Sequence, residues 1–247
     1  MRIVSLLPSQ TELLCELGFK KNLVGISNYC NFPPDIASLP KVGAQELDLE
    51  RIVSLKPNFI VDLNHGHEKY KPSFDKLGMI YLDYPLLKFD EIPIVAASLS
   101  ADLGCPESGK RFALDWVEKL RSATVTKEKV KRIYVEVWDS PIQAAGGGSF
   151  INDLIARAGG KNIFCNVTIP FPLVSAEAII AGDPEIIILT YSSPNPLSIG
   201  SRIGWDGLSA VKTKSIISVE PDIFERPGPR CIEAIKRLSE IFDSFKQ

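Results

Sequence analysis

Apolar and polar residues alternate in short blocks along most of this chain, but one stretch keeps a helical rhythm far longer than the rest. From Pro106 to about Lys129, Phe112, Ala113, Trp116, Val117 and Leu120 recur at three- and four-residue spacing, with Lys110, Asp115, Glu118, Lys119 and Arg121 between them. No Gly or Pro falls between Gly109 and Lys131. This pattern predicts an amphipathic helix with one buried stripe. Over that stretch it would span roughly 36 Å, about the width of a small domain.

Before this helix, short apolar runs and helical patterns take turns. Arg2–Leu7 reads as a buried strand, and Ser9 with Glu12 fits a capping box for a helix through Leu13, Leu14 and Leu17 to Gly18. Asn22–Ser27 is a second strand, followed by the irregular loop Tyr29–Pro34. Asp48 caps a helix carrying Leu49, Ile52, Val53 and Leu55, Pro57 stops it, and Phe59–Val61 is a third strand. The loop Asn64–Lys69, a helix around Ser73–Leu77, a strand at Met79–Leu82 and a helix near Glu91–Leu103 complete this half. After the long helix the order begins again. It runs through a strand at Arg132–Val137, Gly146-Gly147-Gly148-Ser149 leading a helix from Phe150 to Ala158, and a helix opened by Ser175. Strands at Ile186–Leu189 and Ser215–Val219 follow, then a C-terminal helix from Pro229 or Arg230 through Ile241.

Strand and helix in alternation predict α/β architecture with mainly parallel sheets. The halves also superpose in sequence. Glu50, Ile52, Val53, Pro57, Ile60 and Val61 correspond at a constant offset to Glu177, Ile179, Ile180, Pro184, Ile187 and Ile188. We therefore expect two Rossmann-like α/β lobes, residues 1–105 and 131–247, joined by a single backbone helix over 106–130.

Composition narrows the function. At 247 residues and a net charge of −2, with no basic cluster, nucleic acid is not an expected partner. No apolar run reaches the length of a bilayer span, so direct membrane insertion is not expected. Met1–Pro8 has too short an apolar run for a secretory signal, which leaves a cytoplasmic chain or one whose leader has been removed. Five scattered cysteines suit free thiols, and without a CxxC pair a structural zinc site is not expected.

Several segments resemble the helical-backbone substrate-binding proteins of ABC importers, and among them the cobalamin-binding branch. They are Arg2–Ser9 with Thr11-Glu12, Gly25–Tyr29 with Pro33-Pro34, and Leu49–Val53 with Leu55-Lys56-Pro57. Further along come Gly160–Phe164, Pro170–Ser175, and Phe224-Glu225-Arg226 with Pro229-Arg230. The resemblance implies a ligand held in a cleft between two lobes, small lobe motions because a packed helix joins them, and delivery of a corrinoid to an ABC permease dimer by a monomer that is not an enzyme. It assigns ligand contacts to Tyr29, Phe171, Trp205, Asp222 and Arg226, and to the positions of Leu63 and Tyr81, where the family carries tryptophans. It also assigns permease docking to Glu68 and Asp206.

The residues themselves are compatible with that ligand. Ligands of parallel sheets gather at the carboxyl ends of strands, which selects Tyr29, the Asn64–Lys69 loop, Tyr81–Tyr84, Trp138, Phe171, Trp205 and Asp222–Arg226. A corrinoid is a partly apolar disc fringed with amides and calls for aromatic faces with a few polar groups. His65 and His67 flank Gly66 and are candidates for an axial metal bond. They would also serve a competing metal-dependent enzyme. The triglycine could receive a phosphate at a helix N-terminus, but it lacks a following Lys-Ser/Thr and GxGxxG spacing. No GxSxG elbow accompanies the serines, which argues against a hydrolase. Siderophore or haem binding on the same fold, and a cytosolic corrinoid carrier or sensor, are the alternatives.

Overall fold

Short β-branched runs bounded by Pro and Gly form strands here because amphipathic helices cover them. This computed structural model describes residues 1–86, 88–191 and 196–245. The first elements are β1 (Ile3–Ser5), α1 (Pro8–Glu16), β2 (Leu23–Ile26), α2 (Leu49–Ser54), β3 (Phe59–Leu63), α3 (Lys71–Lys76), β4 (Ile80–Tyr84), α4 (Ile92–Asp102) and α5 (Pro106–Ala123). Then come β5 (Lys131–Asp139), β6 (Ile142–Ala144), α6 (Phe150–Arg157), β7 (Gly160–Asn162), α7 (Ala176–Gly182), β8 (Ile186–Leu189), α8 (Pro196–Ile199), α9 (Ser209–Lys212), β9 (Ile216–Ser218), α10 (Pro221–Phe224) and α11 (Cys231–Ser244).

The chain divides into two compact units. One is Met1–Leu86 with Asp90–Val117; the other is Leu87–Phe89 with Glu118–Gln247. The division falls inside α5. In the first unit four parallel strands run in the order β2-β1-β3-β4. Val4, Leu6, Ile52, Ile60 and Phe74 form its core against α2 and α3. In the second unit β5 is central. It pairs parallel with β8 on one side, and on the other with β7 (parallel) and β6 (antiparallel), while β9 extends the sheet beyond β8. Tyr134, Ile179, Ile187, Leu189 and Trp205 are buried together there. Each fully buried aliphatic or aromatic side chain of this kind contributes about 1.5–3 kcal/mol.

Local sequence sets many of the boundaries. Asp48 accepts a hydrogen bond from the Arg51 N–H at 2.9 Å, Ser149 from the Asn152 N–H at 3.3 Å and Ser175 from the Ala178 N–H at 3.3 Å, capping α2, α6 and α7. The expected capping box at Ser9 does not form. Pro8 takes the first helical position, Leu7 is the cap, and Ser9 and Glu12 turn into the interior.

The long helix is also shorter than its periodicity predicts and ends at Ala123. Beyond it lie the β-branched Thr124, Val125 and Thr126, and the Val125 N–H bonds to Arg157 O at 2.8 Å instead of continuing the helix. The strands β6 and β7 escape sequence reading because they are three residues long and carry Gly or Gln. All five cysteines are free, and no helix among the described residues is long and apolar enough to cross a membrane.

Candidate ligand site

The strands of the first unit are parallel, so the loops that follow them leave from one edge of the sheet. After β2 stands Tyr29, 54% exposed, its N–H donating to Ser27 Oγ. After β3 the chain turns through Asn64 and His65, both in left-handed conformation (φ 51° and 58°). The Asn64 side chain both accepts from the Leu86 N–H (2.7 Å) and donates to Leu86 O (2.9 Å), tying this loop to the segment after β4. His65 is exposed, with Nδ1 2.7 Å from Asp83 and 3.6 Å from Glu68. Glu68 itself faces solvent.

Beneath this loop lies a buried charge cluster. Asp62, fully buried at the end of β3, accepts from the His67 N–H (2.7 Å), His67 Nδ1 (3.1 Å) and the Tyr81 hydroxyl (2.6 Å). His67 Nε2 lies 2.7 Å from Ala44 O, an atom that can only accept. Nε2–H therefore donates to Ala44 O, and Nδ1 faces the Asp62 carboxyl group. The hydrogen bond to Asp62 raises the His67 pKa, against the opposing effect of burial. Burial alone would push Asp62 up, but the bonds from His67 and Tyr81 outweigh it and hold the carboxyl below its ordinary range.

Metal binding at His67 is thereby corrected, since both of its nitrogens are already committed. No group of three or more His, Cys, Asp or Glu among the described residues could hold a metal ion, so the Asp83 and Glu68 carboxylates beside His65 do not complete a metal site. Tyr81 spends its hydroxyl on Asp62, and Leu63 is buried.

The second unit presents a different edge. Near the end of β5 stands Trp138, 53% exposed, beside Tyr191 just after β8. Asp222 on α10 and Arg226 just beyond it follow β9 and form an ion pair at 2.5 Å. Phe171 is exposed on a segment held along β6, where the Ala144 N–H donates to Pro172 O and the Val174 N–H to Ile142 O. Asp206 is exposed on the turn before α9.

Trp205, expected to face ligand, is fully buried. It meets Tyr134 edge to face at 6.1 Å, and the Arg202 guanidinium lies 4.8 Å from its ring centroid. The sequence could not distinguish an aromatic on a loop from one that anchors the loop in the core.

Sequence reading also missed a second buried cluster. Glu136, fully buried in β5, accepts two bonds from Arg202 (2.6 and 2.8 Å) and one each from the Tyr134 and Tyr191 hydroxyls (2.9 and 3.0 Å). A lone acid inside an apolar strand, Asp62 in one half and Glu136 in the other, was the signal for both clusters.

The triglycine receives backbone rather than phosphate. The Gly146 N–H bonds to Pro170 O and the Gly147 N–H to Val167 O at 2.7 Å. A side chain at Gly147 would lie 2.0 Å from Cys165 O. A groove of about 970 Å³ opens at the opposite edge of this sheet, where β5 and β8 begin. Its Lys127 is paired with Asp243 and its Arg132 with Glu185.

Residues 3–223 match the family described as periplasmic binding protein. The chain belongs to the periplasmic binding protein family. Within this family, the vitamin B12-binding protein of Salmonella typhimurium is 30% identical over 242 residues, spanning 96% of this chain and 88% of that protein. A solved Staphylococcus epidermidis structure, described as a possible iron-binding periplasmic solute-binding protein, has a TM-score of 0.89 and 28% identity, and 98% of each chain is covered. The periplasmic vitamin B12-binding protein of Vibrio cholerae has a TM-score of 0.81 and 26% identity, covering 100% of this chain and 98% of that one. Periplasmic binding proteins of this type hold cargo rather than transform it.

Proposed function

We propose that the chain binds cobalamin or a related corrinoid and delivers it to an ABC importer. One observation carries this reading: the carboxyl edge of the second sheet offers exposed aromatic rings, Trp138 and Phe171, together with an ion pair, Asp222–Arg226, whose charges cancel. Aromatic surface with few, mutually neutralised charges suits a neutral, amide-fringed macrocycle. Whole-length likeness to vitamin B12-binding proteins supports the choice. In the first unit Tyr29 is an exposed aromatic group after β2.

The exposed carboxylates Glu68 and Asp206 are the proposed docking groups for arginines of a permease dimer. The protein would act as a monomer outside the cytoplasmic membrane, without catalytic chemistry. Haem or a ferric siderophore is the second reading, supported by the likeness to the possible iron-binding protein of S. epidermidis. Titration with cyanocobalamin, haemin and a ferric siderophore, followed by visible absorbance and calorimetry, tests both. Stoichiometric cyanocobalamin binding is expected, and its absence defeats the corrinoid reading.

A further inference from the structure

We infer that Trp138 is a ligand-contacting residue, an indole fixed in place to meet the flat or alkyl-rich surface of the bound macrocycle. This rests on the corrinoid reading proposed above.

Of the three tryptophans, Trp116 and Trp205 are 3% and 0% exposed, whereas Trp138 is 53% exposed. At the carboxyl end of a strand in a parallel sheet, the exposed indole stands where ligands of such sheets gather. The β5–β6 register shifts between Glu136 and Trp138, an irregularity of the kind that re-aims a side chain beside a binding site.

The ring is also held. Its Nε1–H donates to Ser140 O at 2.9 Å, and the indole and the Tyr191 ring meet in a T-shaped contact at 62° with centroids 6.4 Å apart. Tyr191 is fixed in turn by its hydroxyl bond to Glu136, which Arg202 clamps with two hydrogen bonds. A line of contacts thus runs from a buried ion pair to an exposed indole. A ring already immobilised loses little freedom when ligand arrives.

The committed Nε1–H defines the ligand chemistry. With its donor occupied by Ser140, the indole offers only its π surface and carbon edge. That suits a macrocycle rim of methyl and methylene groups, or a conjugated plane. It does not suit a carboxylate or sugar hydroxyl that needs a donor.

Calorimetric titration of the wild type, Trp138→Phe and Trp138→Ala with cyanocobalamin tests the assignment, with circular dichroism melts to verify folding. N-bromosuccinimide oxidation of the wild type, read by mass spectrometry, adds a contact readout. We expect affinity to fall roughly tenfold for W138A and by less than threefold for W138F. Saturating cyanocobalamin should protect Trp138 from oxidation. If the wild type binds but both variants bind within twofold of it, and Trp138 oxidises equally with and without ligand, the assignment is overturned while the corrinoid reading stands. If the wild type itself fails to bind, both are overturned.

Discussion

Arg2 and Arg132 do the same work at equivalent points of the two units. The Arg2 N–H donates to Asn58 Oδ1 at 2.8 Å, its guanidinium to Leu55 O at 2.9 and 2.7 Å, and its carbonyl accepts from the Asn58 N–H. The Arg132 N–H donates to Glu185 Oε2 at 2.9 Å, its Nε to Asp183 O at 2.7 Å, and its carbonyl accepts from the Glu185 N–H. Each arginine ties the start of a strand to the end of the helix that precedes its neighbour. Arg2→Ala and Arg132→Ala should each cost about 1 kcal/mol in urea unfolding, in keeping with loss of a few partly exposed hydrogen bonds. Neither replacement should change cyanocobalamin affinity.

The same corner repeats a left-handed residue before proline, Lys56–Pro57 in one unit and Asp183–Pro184 in the other, with φ of 47° and 36°. Glycine there should act oppositely at the two sites. Lys56 is exposed, so Lys56→Gly relieves the left-handed penalty and should gain about 0.5 kcal/mol. Asp183 accepts from the Ser209 N–H and Oγ, both at 2.8 Å, so Asp183→Gly should lose about 1–2 kcal/mol despite the easier backbone. Equal signs for the two variants would contradict this account.

Stability should depend on pH through the His67–Asp62 pair. The raised His67 pKa means that its contribution is complete below the ordinary histidine value of about 6.5 and is lost as pH climbs through the folded value. Asp62, held low, contributes above the ordinary aspartate value of about 3.9 and loses that contribution as pH falls through its folded value. Urea midpoints should therefore be highest between about pH 4.5 and 6.5 and decline above that window. His67→Gln should flatten the alkaline decline and cost about 3 kcal/mol at pH 6, because Asp62 stays buried without its cation.

Gly147→Ala should destabilise by about 2–3 kcal/mol, since the added methyl meets the Cys165 backbone at 2.0 Å. Gly207→Ala, with nothing within 4 Å, should stay within about 0.5 kcal/mol of wild type. Thermal melts of the two variants compare them directly.

Alternation of strand and helix was legible because capping residues mark helix starts, as at Asp48, Ser149 and Ser175, and prolines precede strands, as Pro57 does β3 and Pro184 does β8. The duplication was legible as well, through Ile52 and Ile179 on α2 and α7 and the prolines that follow them. What sequence could not supply was the third dimension of single side chains. Trp205 and Trp138 look alike as loop-edge aromatics, yet one closes a core and the other faces solvent. His67 reads as a potential metal ligand until Asp62 and Ala44 take both of its nitrogens. The shortened α5 reflects a tertiary choice, a backbone bond to Arg157 far along the chain, which outweighs local periodicity.

The position of the division inside α5 has a bearing on biosynthesis. The first unit takes its last residues from the front of this helix, including buried Trp116, and the long segment of the second begins at Glu118. A growing chain cannot complete the first core until residues through Val117 have left the ribosome. The second unit, by contrast, starts from helix turns that the first has already nucleated. Chains cut short before Trp116 should therefore be caught by proteases, whereas chains ending just after the helix should persist as a folded N-terminal half.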